Sequence, residues 1–200
     1  MKLMEDNKEK TEIDWGKVGK DLRFIELATR LAKDLNCRVI IHGGYAVDGA
    51  LGKITRPHND IDVQIFGQGS NTAQAINGLI NKISRQDPSF ANLKMIDKGR
   101  KEFYHNFVFE RPGFGADIYY IQVETNPFAS EKVVIKNDGS KTEAQEWETR
   151  QVILEGVSFE AQSPEVELRD RLKKRGEGEP IKPKRDQDIA NLQHLLGRFR

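Results

Sequence analysis

Asp60 and Asp62 stand two apart in the run Asp60-Ile61-Asp62-Val63-Gln64-Ile65, where Ile61, Val63 and Ile65 alternate with the polar residues. A strand repeats every two residues, so one face is apolar and the other carries both carboxylates. Their backbones lie about 6–7 Å apart, and at an effective dielectric of 20 two negative charges ~6 Å apart repel by roughly 3 kcal/mol. A divalent cation turns that cost into a ligand set, because Mg²⁺ favours one or two carboxylates together with substrate phosphates. The competing explanation is a solvated edge strand whose charges discourage aggregation. Upstream, the β-branched run Val39-Ile40-Ile41 leads into Gly43-Gly44 and then a helical segment from Tyr45 to about Leu51. A strand that ends in two glycines before a helix lets backbone N–H groups approach phosphate oxygens at the positive end of the helix dipole. Together the two features point to a phosphate ester and a metal.

These groups need elements to hold them. From Trp15 the apolar residues fall at helical spacing to Leu35, with Asp14 placed to cap, and this helix is expected behind the first strand. The second strand is expected from Asn59. After a turn over 67–71, Ala75, Ile76, Leu79, Ile80 and Ile83 mark another helix capped by Ser70 or Asn71. Strands follow at roughly 93–97, 102–110 and 114–123, then a short one over 132–135 with a hairpin turn at Asn137-Asp138-Gly139, and a last hairpin through Val152–Phe159. Ser163-Pro164 opens a helix expected to end near Lys174, and a final helix carries Ile189, Leu192, Leu195 and Leu196. The fold class this pattern predicts is α+β, a mixed sheet with helices packed on one side. We expect a frayed segment over 1–13, one catalytic domain over 14–161 and a helical C-terminal part over 162–200.

Composition narrows the function. Thirty-two Lys and Arg against 31 Asp and Glu give a net charge of +1, which argues against nucleic acid gripped through phosphate neutralisation. No apolar run reaches membrane-spanning length and the polar start of the chain lacks a signal-peptide core, so a cytoplasmic protein is expected. The single Cys37 excludes an intrachain disulfide and, preceding an apolar strand, reads as buried and inert. Gly52-Lys53 is not a P-loop, because Val47 replaces the first glycine and Ile54 the metal-binding hydroxyl. His42, His58, His105 and His194 show no zinc spacing.

The run GGYAVDGALGKITRPHNDIDV resembles the nucleotidyltransferases of the DNA polymerase beta superfamily, and within them the lincosamide and aminoglycoside branch. Gly43, Gly44, Asp48, Gly52, Arg56, His58, Asp60, Ile61 and Asp62 match that branch, and Tyr45 stands where it usually has Trp. The resemblance implies a polymerase-beta-like nucleotidyltransferase fold, ATP or another nucleoside triphosphate as co-substrate, Mg²⁺ at Asp60 and Asp62, and phosphates at Gly43 and Gly44. The acceptor it implies is a hydroxyl of a small molecule, a lincosamide or aminoglycoside antibiotic among the candidates. A third carboxylate is needed to complete the metals and take the hydroxyl proton. Asp117, in Gly115-Ala116-Asp117-Ile118-Tyr119-Tyr120, matches by position, with a turn-capping role as its alternative and Glu102, Glu110 and Glu124 as rivals. Arg56 and His58 are expected at the phosphates or the metals; His58 could instead hold the turn before Asp60. Lys182, Lys184 and Arg185 could reach the phosphates, with Lys184 the one taken for that role and a solvated basic turn the alternative for each. Two other functions stay open, a toxin-like nucleotidyltransferase acting on RNA or protein and a non-catalytic nucleotide-binding module. Monomer and homodimer are equally compatible with the sequence.

Overall fold

The computed structural model describes residues 12–68, 72–124, 126–128, 133–136, 138–143, 148–176 and 183–197. Helix α1 (Trp15–Lys33) begins where Asp14 accepts a hydrogen bond from the Lys17 amide at 3.0 Å, satisfying one orphan donor of the first turn. Strand β1 (Cys37–His42) runs straight into α2 (Gly43–Leu51), and β2 (Ile61–Gly67) returns antiparallel to β1. Helix α3 (Thr72–Gln86) leads to β3 (Lys94–Arg100), β4 (His105–Arg111) and β5 (Phe114–Gln122). Short strands β6 (Val133–Ile135) and β7 (Lys141–Glu143) pair with each other, β8 (Thr149–Leu154) and β9 (Val157–Gln162) form a hairpin, and α4 (Pro164–Gly176) and α5 (Pro183–Gly197) follow.

Seven strands form one mixed sheet in the order β3-β4-β5-β2-β1-β9-β8, with β5 parallel to β2 and β9 parallel to β1. One face is covered. Val39 and Ile41, Ile61, Val63 and Ile65, and Ala116, Ile118 and Tyr120 pack there against Leu22, Ile25 and Ala28 of α1 and Ile76, Leu79 and Ile83 of α3. This is the alternation read from the sequence, and it drives the fold because each buried aliphatic side chain contributes roughly 1.5–3 kcal/mol. Phe24, Phe90 and Phe114 close one end with ring centroids 5.1–5.5 Å apart. The opposite face is apolar over only a small cluster, Ile40, Phe66, Ile121, Val123 and Val134. Further along, that face is left to His42, Asp62 and Asp117.

The α+β class and mixed sheet stand as expected, but several boundaries move. β2 starts at Ile61, so Asp60 precedes the strand instead of lying in it. Helix α2 starts at Gly43, two residues earlier than the sequence suggested. Asp117 is the fourth residue of β5 and lies within the strand, not at a turn. Lys184 and Arg185 sit in the first turn of α5, because Pro183 is accommodated at a helix start where its missing N–H costs nothing. The expected caps Ser70 and Asn71, the turn residue Asn137, Lys132, Lys182 and the segments 1–11 and 177–182 lie outside the described residues. Among those described, no helix is long and apolar enough to cross a membrane.

Candidate active site

The sheet register assembles the site. His42 of β1 pairs with Asp62 of β2, and Asp62 pairs with Asp117 of β5, so the three lie in one row on the same face of adjacent strands. Neighbouring strands are about 4.8 Å apart. Asp60, exposed at the entry to β2, stands next to this row. Among the described residues none of the three carboxylates accepts a hydrogen bond. Burial first, then the charges of Asp60, Asp117 and Glu167, push the Asp62 carboxyl up to about 7. Burial and Asp60 also raise Asp117, with Lys98 pulling the other way. The Tyr119 ring lies edge-on to the His42 ring with centroids 5.2 Å apart, and its hydroxyl is raised by burial and by the same carboxylates.

Beside the row is the start of α2. Gly43 has φ +71°, a left-handed conformation in which a side chain is strained, and a Cβ there would lie 2.0 Å from Asp62 Oδ2. At Gly44 a Cβ would meet His58 Nδ1 at 2.3 Å. The two glycines therefore let Asp62 and His58 close onto the helix start. The Gly43 amide donates to Glu167 Oε1 at 2.8 Å. A carboxylate from α4 thus occupies the anion-binding helix end that the sequence assigned to a phosphate.

Arg56 and His58 belong to a buried frame. Arg56 holds Asp188 bidentately, Nε to Oδ1 at 2.9 Å and Nη2 to Oδ2 at 2.8 Å, and its Nη1 donates to the Pro57 carbonyl at 3.1 Å. That Nη1 also lies 3.1 Å from His58 Nδ1, and His58 Nε2 is 2.6 Å from Asp48 Oδ2. A guanidinium only donates, so Nδ1 accepts and Nε2–H is the donor to Asp48. Asp48 Oδ1 in turn accepts from the Thr55 hydroxyl at 2.6 Å. His58 thus holds the turn before Asp60 through hydrogen bonds, and both residues also line the smaller of two cavities described below. Tyr45, buried against the His58 ring, donates to the buried Asp21 at 2.7 Å, a bond that a Trp at this position would make differently.

Glu167, Arg171, Asp188 and Asp21 were not singled out from the sequence. Arg171 pairs with Glu167 and reaches Asp188 at 3.3 Å; burial opposes its charge, but the two acids outweigh this and hold it above its ordinary value. A signal did exist. Glu167 lies between Val166 and Leu168, and Asp188 immediately before Ile189, so each acid sits next to the apolar stripe of its helix.

Two cavities meet at the carboxylates. The smaller, about 300 Å³, is lined by Gly43, Gly44, Asp60, Asp62, Lys184 and Arg185, among others. The larger, about 580 Å³, lies at the ends of β4 and β5 and is lined by Asn59, Asp60, Lys94, Glu110, Arg111 and Asp117, among others. Asp60, Asp62, Asp117, Gly43, Gly44, Arg56, His58 and Lys184 are therefore all brought to one region. Of the rival acids, Glu110 lines the larger cavity with Asp117, whereas Glu102, paired with Lys136 at 2.9 Å, and Glu124, paired with Lys141 at 2.5 Å, line neither cavity. Among the described residues no three acidic, imidazole or thiol groups form a ready-made metal cage. Carboxylates without hydrogen-bond partners, one of them strongly resisting ionisation, nevertheless fit a cation that takes its remaining ligands from phosphates, as Mg²⁺ does.

A mixed sheet with a Gly-Gly helix start beside carboxylates on adjacent strands is the nucleotidyltransferase fold of the polymerase-beta type. The sequence profile described as aminoglycoside-2''-adenylyltransferase matches residues 25–86, a segment that runs from α1 through both strands of the motif to the end of α3. The chain is similar to the solution structure of antibiotic-resistance factor ANT(2'')-Ia, with TM-score 0.61 and 17% identity, covering 90% of this chain and 86% of that one. It is similar to the lincosamide antibiotic adenylyltransferase LnuA in its lincomycin-bound crystal structure, with TM-score 0.60, 17% identity and coverage of 92% and 98%. The crystal structure of ANT(2'')-Ia with adenylyl-2''-tobramycin superimposes with TM-score 0.59 at 18% identity, covering 90% and 91%. No curated protein matches the chain in sequence. The resemblance carried by Gly43 to Asp62 thus extends to the fold, which the chain shares with these solved structures over about nine-tenths of its length, while the profile match itself covers residues 25–86.

Proposed function

We propose that this protein transfers a nucleoside monophosphate, AMP from ATP, to a hydroxyl group of a small molecule with Mg²⁺ as cofactor. The observation that carries the reading is the pairing of Asp62 with Asp117 across β2 and β5, next to Asp60 and a helix end that already holds an anionic oxygen. Asp60 and Asp62 would hold the metal shared with the triphosphate. Bound Mg²⁺ supplies neutralisation of the phosphate charge and of the repulsion among the aspartates. Asp117 accepts the proton of the attacking hydroxyl, which its raised affinity for a proton suits. The start of α2 faces the outer phosphates once Glu167 gives up the Gly43 amide, and Lys184 adds a positive charge from α5. The hydroxyl oxygen bonds to the α-phosphorus, and the electron pair of the broken bond leaves with pyrophosphate.

Antibiotics of the aminoglycoside kind, named in the description of the matching profile, and of the lincosamide kind, as for LnuA, are the candidate acceptors we propose to test first. Incubation of the protein with Mg²⁺ and [α-³²P]ATP against lincosamides, aminoglycosides and total tRNA tests the reading. Expected is labelled small molecule together with pyrophosphate, both lost in Asp60→Asn. Label on tRNA alone would move the acceptor to RNA, and ATP left intact under every condition would sink the proposal.

A further inference from the structure

The two cavities divide the carboxylates between them. Asp62 lines only the smaller one, Asp117 only the larger, and Asp60 both. In-line displacement sets the attacking and leaving oxygens on opposite sides of the α-phosphorus. With the glycines, Arg171 and Lys184 gathered in the smaller cavity, the triphosphate and its leaving pyrophosphate belong there. The attacking hydroxyl then comes from the far side, where Asp117 stands. At about 580 Å³ the larger cavity has room for a mono- or disaccharide-sized molecule.

The charge of its wall bears on what that molecule is. An acceptor carrying several ammonium groups needs acidic walls beyond the aspartates already committed to metal and proton. The wall offers Lys94 and Arg111 against Glu110, two cations to one anion, and Lys94 approaches Glu110 at 3.9 Å. Glu102 and Glu124, the other acids that could have served, each carry a lysine partner and line neither cavity. Asn59 and Asn92 add exposed side-chain amides suited to hydroxyl groups, and the buried Phe114 also lines it.

Resting on the nucleotidyl-transfer reading above, we infer that the cavity between Asn59, Lys94, Arg111 and Asp117 is the acceptor site, and that it takes a neutral or at most singly charged polyhydroxy compound, not a polycation. The hydroxyl enters facing Asp117, which takes its proton as the new oxygen–phosphorus bond forms and pyrophosphate departs through the smaller cavity.

Calorimetric titration of tobramycin into the full chain, with Mg²⁺ and a non-hydrolysable ATP analogue present, tests the charge argument without knowledge of the true acceptor. Expected is weak binding that tightens by about tenfold or more in the double variant Lys94→Glu, Arg111→Glu, because each reversal replaces repulsion by attraction. Native binding as tight as that of the double variant overturns the inference. Turnover supplies the second arm, with methyl glycosides, lincomycin and tobramycin offered separately with labelled ATP. A preference of about tenfold or more for the neutral or singly charged compounds is expected, with Arg111→Glu changing the acceptor KM and leaving the ATP KM within about twofold. Tobramycin as the best acceptor, or pyrophosphate release without acceptor that no neutral compound raises, overturns this inference while nucleotidyl transfer stands. No pyrophosphate release under any condition fells the proposed function, and this inference with it.

Discussion

The segment from Gly43 to Asp62 contributes charges to two regions that handle them in opposite ways. Towards α4 and α5, His58 and Asp48 are buried, Arg56 is part-buried, and every charge or ring nitrogen meets a partner among Asp188, Asp48, Thr55 and Arg56 itself. Towards β5, Asp60, Asp62 and Asp117 crowd together with no hydrogen bond among the described residues, and Asp62 resists ionisation to about 7. Removing a charge from the first region should damage the fold, and removing one from the second should damage only the chemistry. Residues of one motif thus separate into frame and site by whether their charges are satisfied.

The largest effect expected is at Asp117. Asp117→Asn should slow the chemical step by about 10²–10⁴-fold while ATP affinity stays near the native value, since Asp60 and Asp62 remain to hold the nucleotide's metal. Single-turnover transfer and calorimetric ATP binding measure the two separately. The native rate should also rise with pH along a limb missing in the variant, because only the ionised carboxylate takes the proton and burial with Asp60 shifts that limb upward. Equal losses in rate and in ATP affinity would place Asp117 in the nucleotide-binding shell instead. Asp60→Asn and Asp62→Asn should each leave less than about a tenth of the rate, a loss above ~1.4 kcal/mol, with the fold intact.

Next comes the frame. Arg56→Ala or Asp188→Ala leaves a buried charge without its partner and should cost about 3–5 kcal/mol in denaturant unfolding. A loss under about 1 kcal/mol would mean the pair behaves as a surface ion pair, and the contrast between the two regions would collapse.

Gly44→Val sharpens the comparison, since Gly44 touches both regions. Its side chain would drive into the His58 ring, an overpacking cost of about 1–3 kcal/mol, and would also block close approach to the phosphates. Adding His58→Ala should recover part of the stability but not the ATP affinity. Recovery of both would leave Gly44 a packing residue alone.

The smallest effect concerns pH. Asp62 keeps its proton up to about pH 7 in the folded chain and only to its ordinary 3.8 when unfolded. Between those values the folded state binds more protons, so metal-free stability should decline as pH rises through this window. Asp62→Asn should remove that decline, and Mg²⁺ with ATP should raise the native Tm more at pH 8 than at pH 5. A native stability curve flat from pH 4 to 7 would contradict the crowding of carboxylates.

Much of this was legible in the sequence because it is local. Strict alternation through Ile61, Val63 and Ile65 put Asp62 on the face away from the core, and the helical spacing from Trp15 put α1 beneath the sheet. Asp117 could be named as an acid in an apolar strand, but its pairing with Asp62 needed the parallel β2–β5 register, which no local pattern encodes. Glu167 and Asp188 were missed for a related reason. Their partners lie 124 and 132 residues away, and an acid bordering an apolar stripe carries no local sign of the partner it meets. Arg56 was drawn towards phosphate because the acid it holds, Asp188, lies 132 residues away, and His58 because its bond to Asp48 closes a turn of 10 residues that no local pattern marks. Lys184, for which a solvated turn was the alternative, sits in the first turn of a helix, which Pro183 at the first helical position accounts for.

Asp188 has one further consequence, for the order in which the molecule can be made. A single carboxylate on α5 holds Arg56 from the motif and Arg171 from α4. Until α5 has left the ribosome, both guanidiniums lack it, and the turn from Thr55 to Asp60 has no long-range anchor. The core beneath the sheet can collapse early on the contacts of α1, β1 and β2, whereas closing a contact 132 residues apart comes late. Synthesis therefore completes the scaffold first and sets the turn leading to Asp60 last, so a ribosome-stalled chain ending before Pro183 should fold its sheet yet bind no nucleotide.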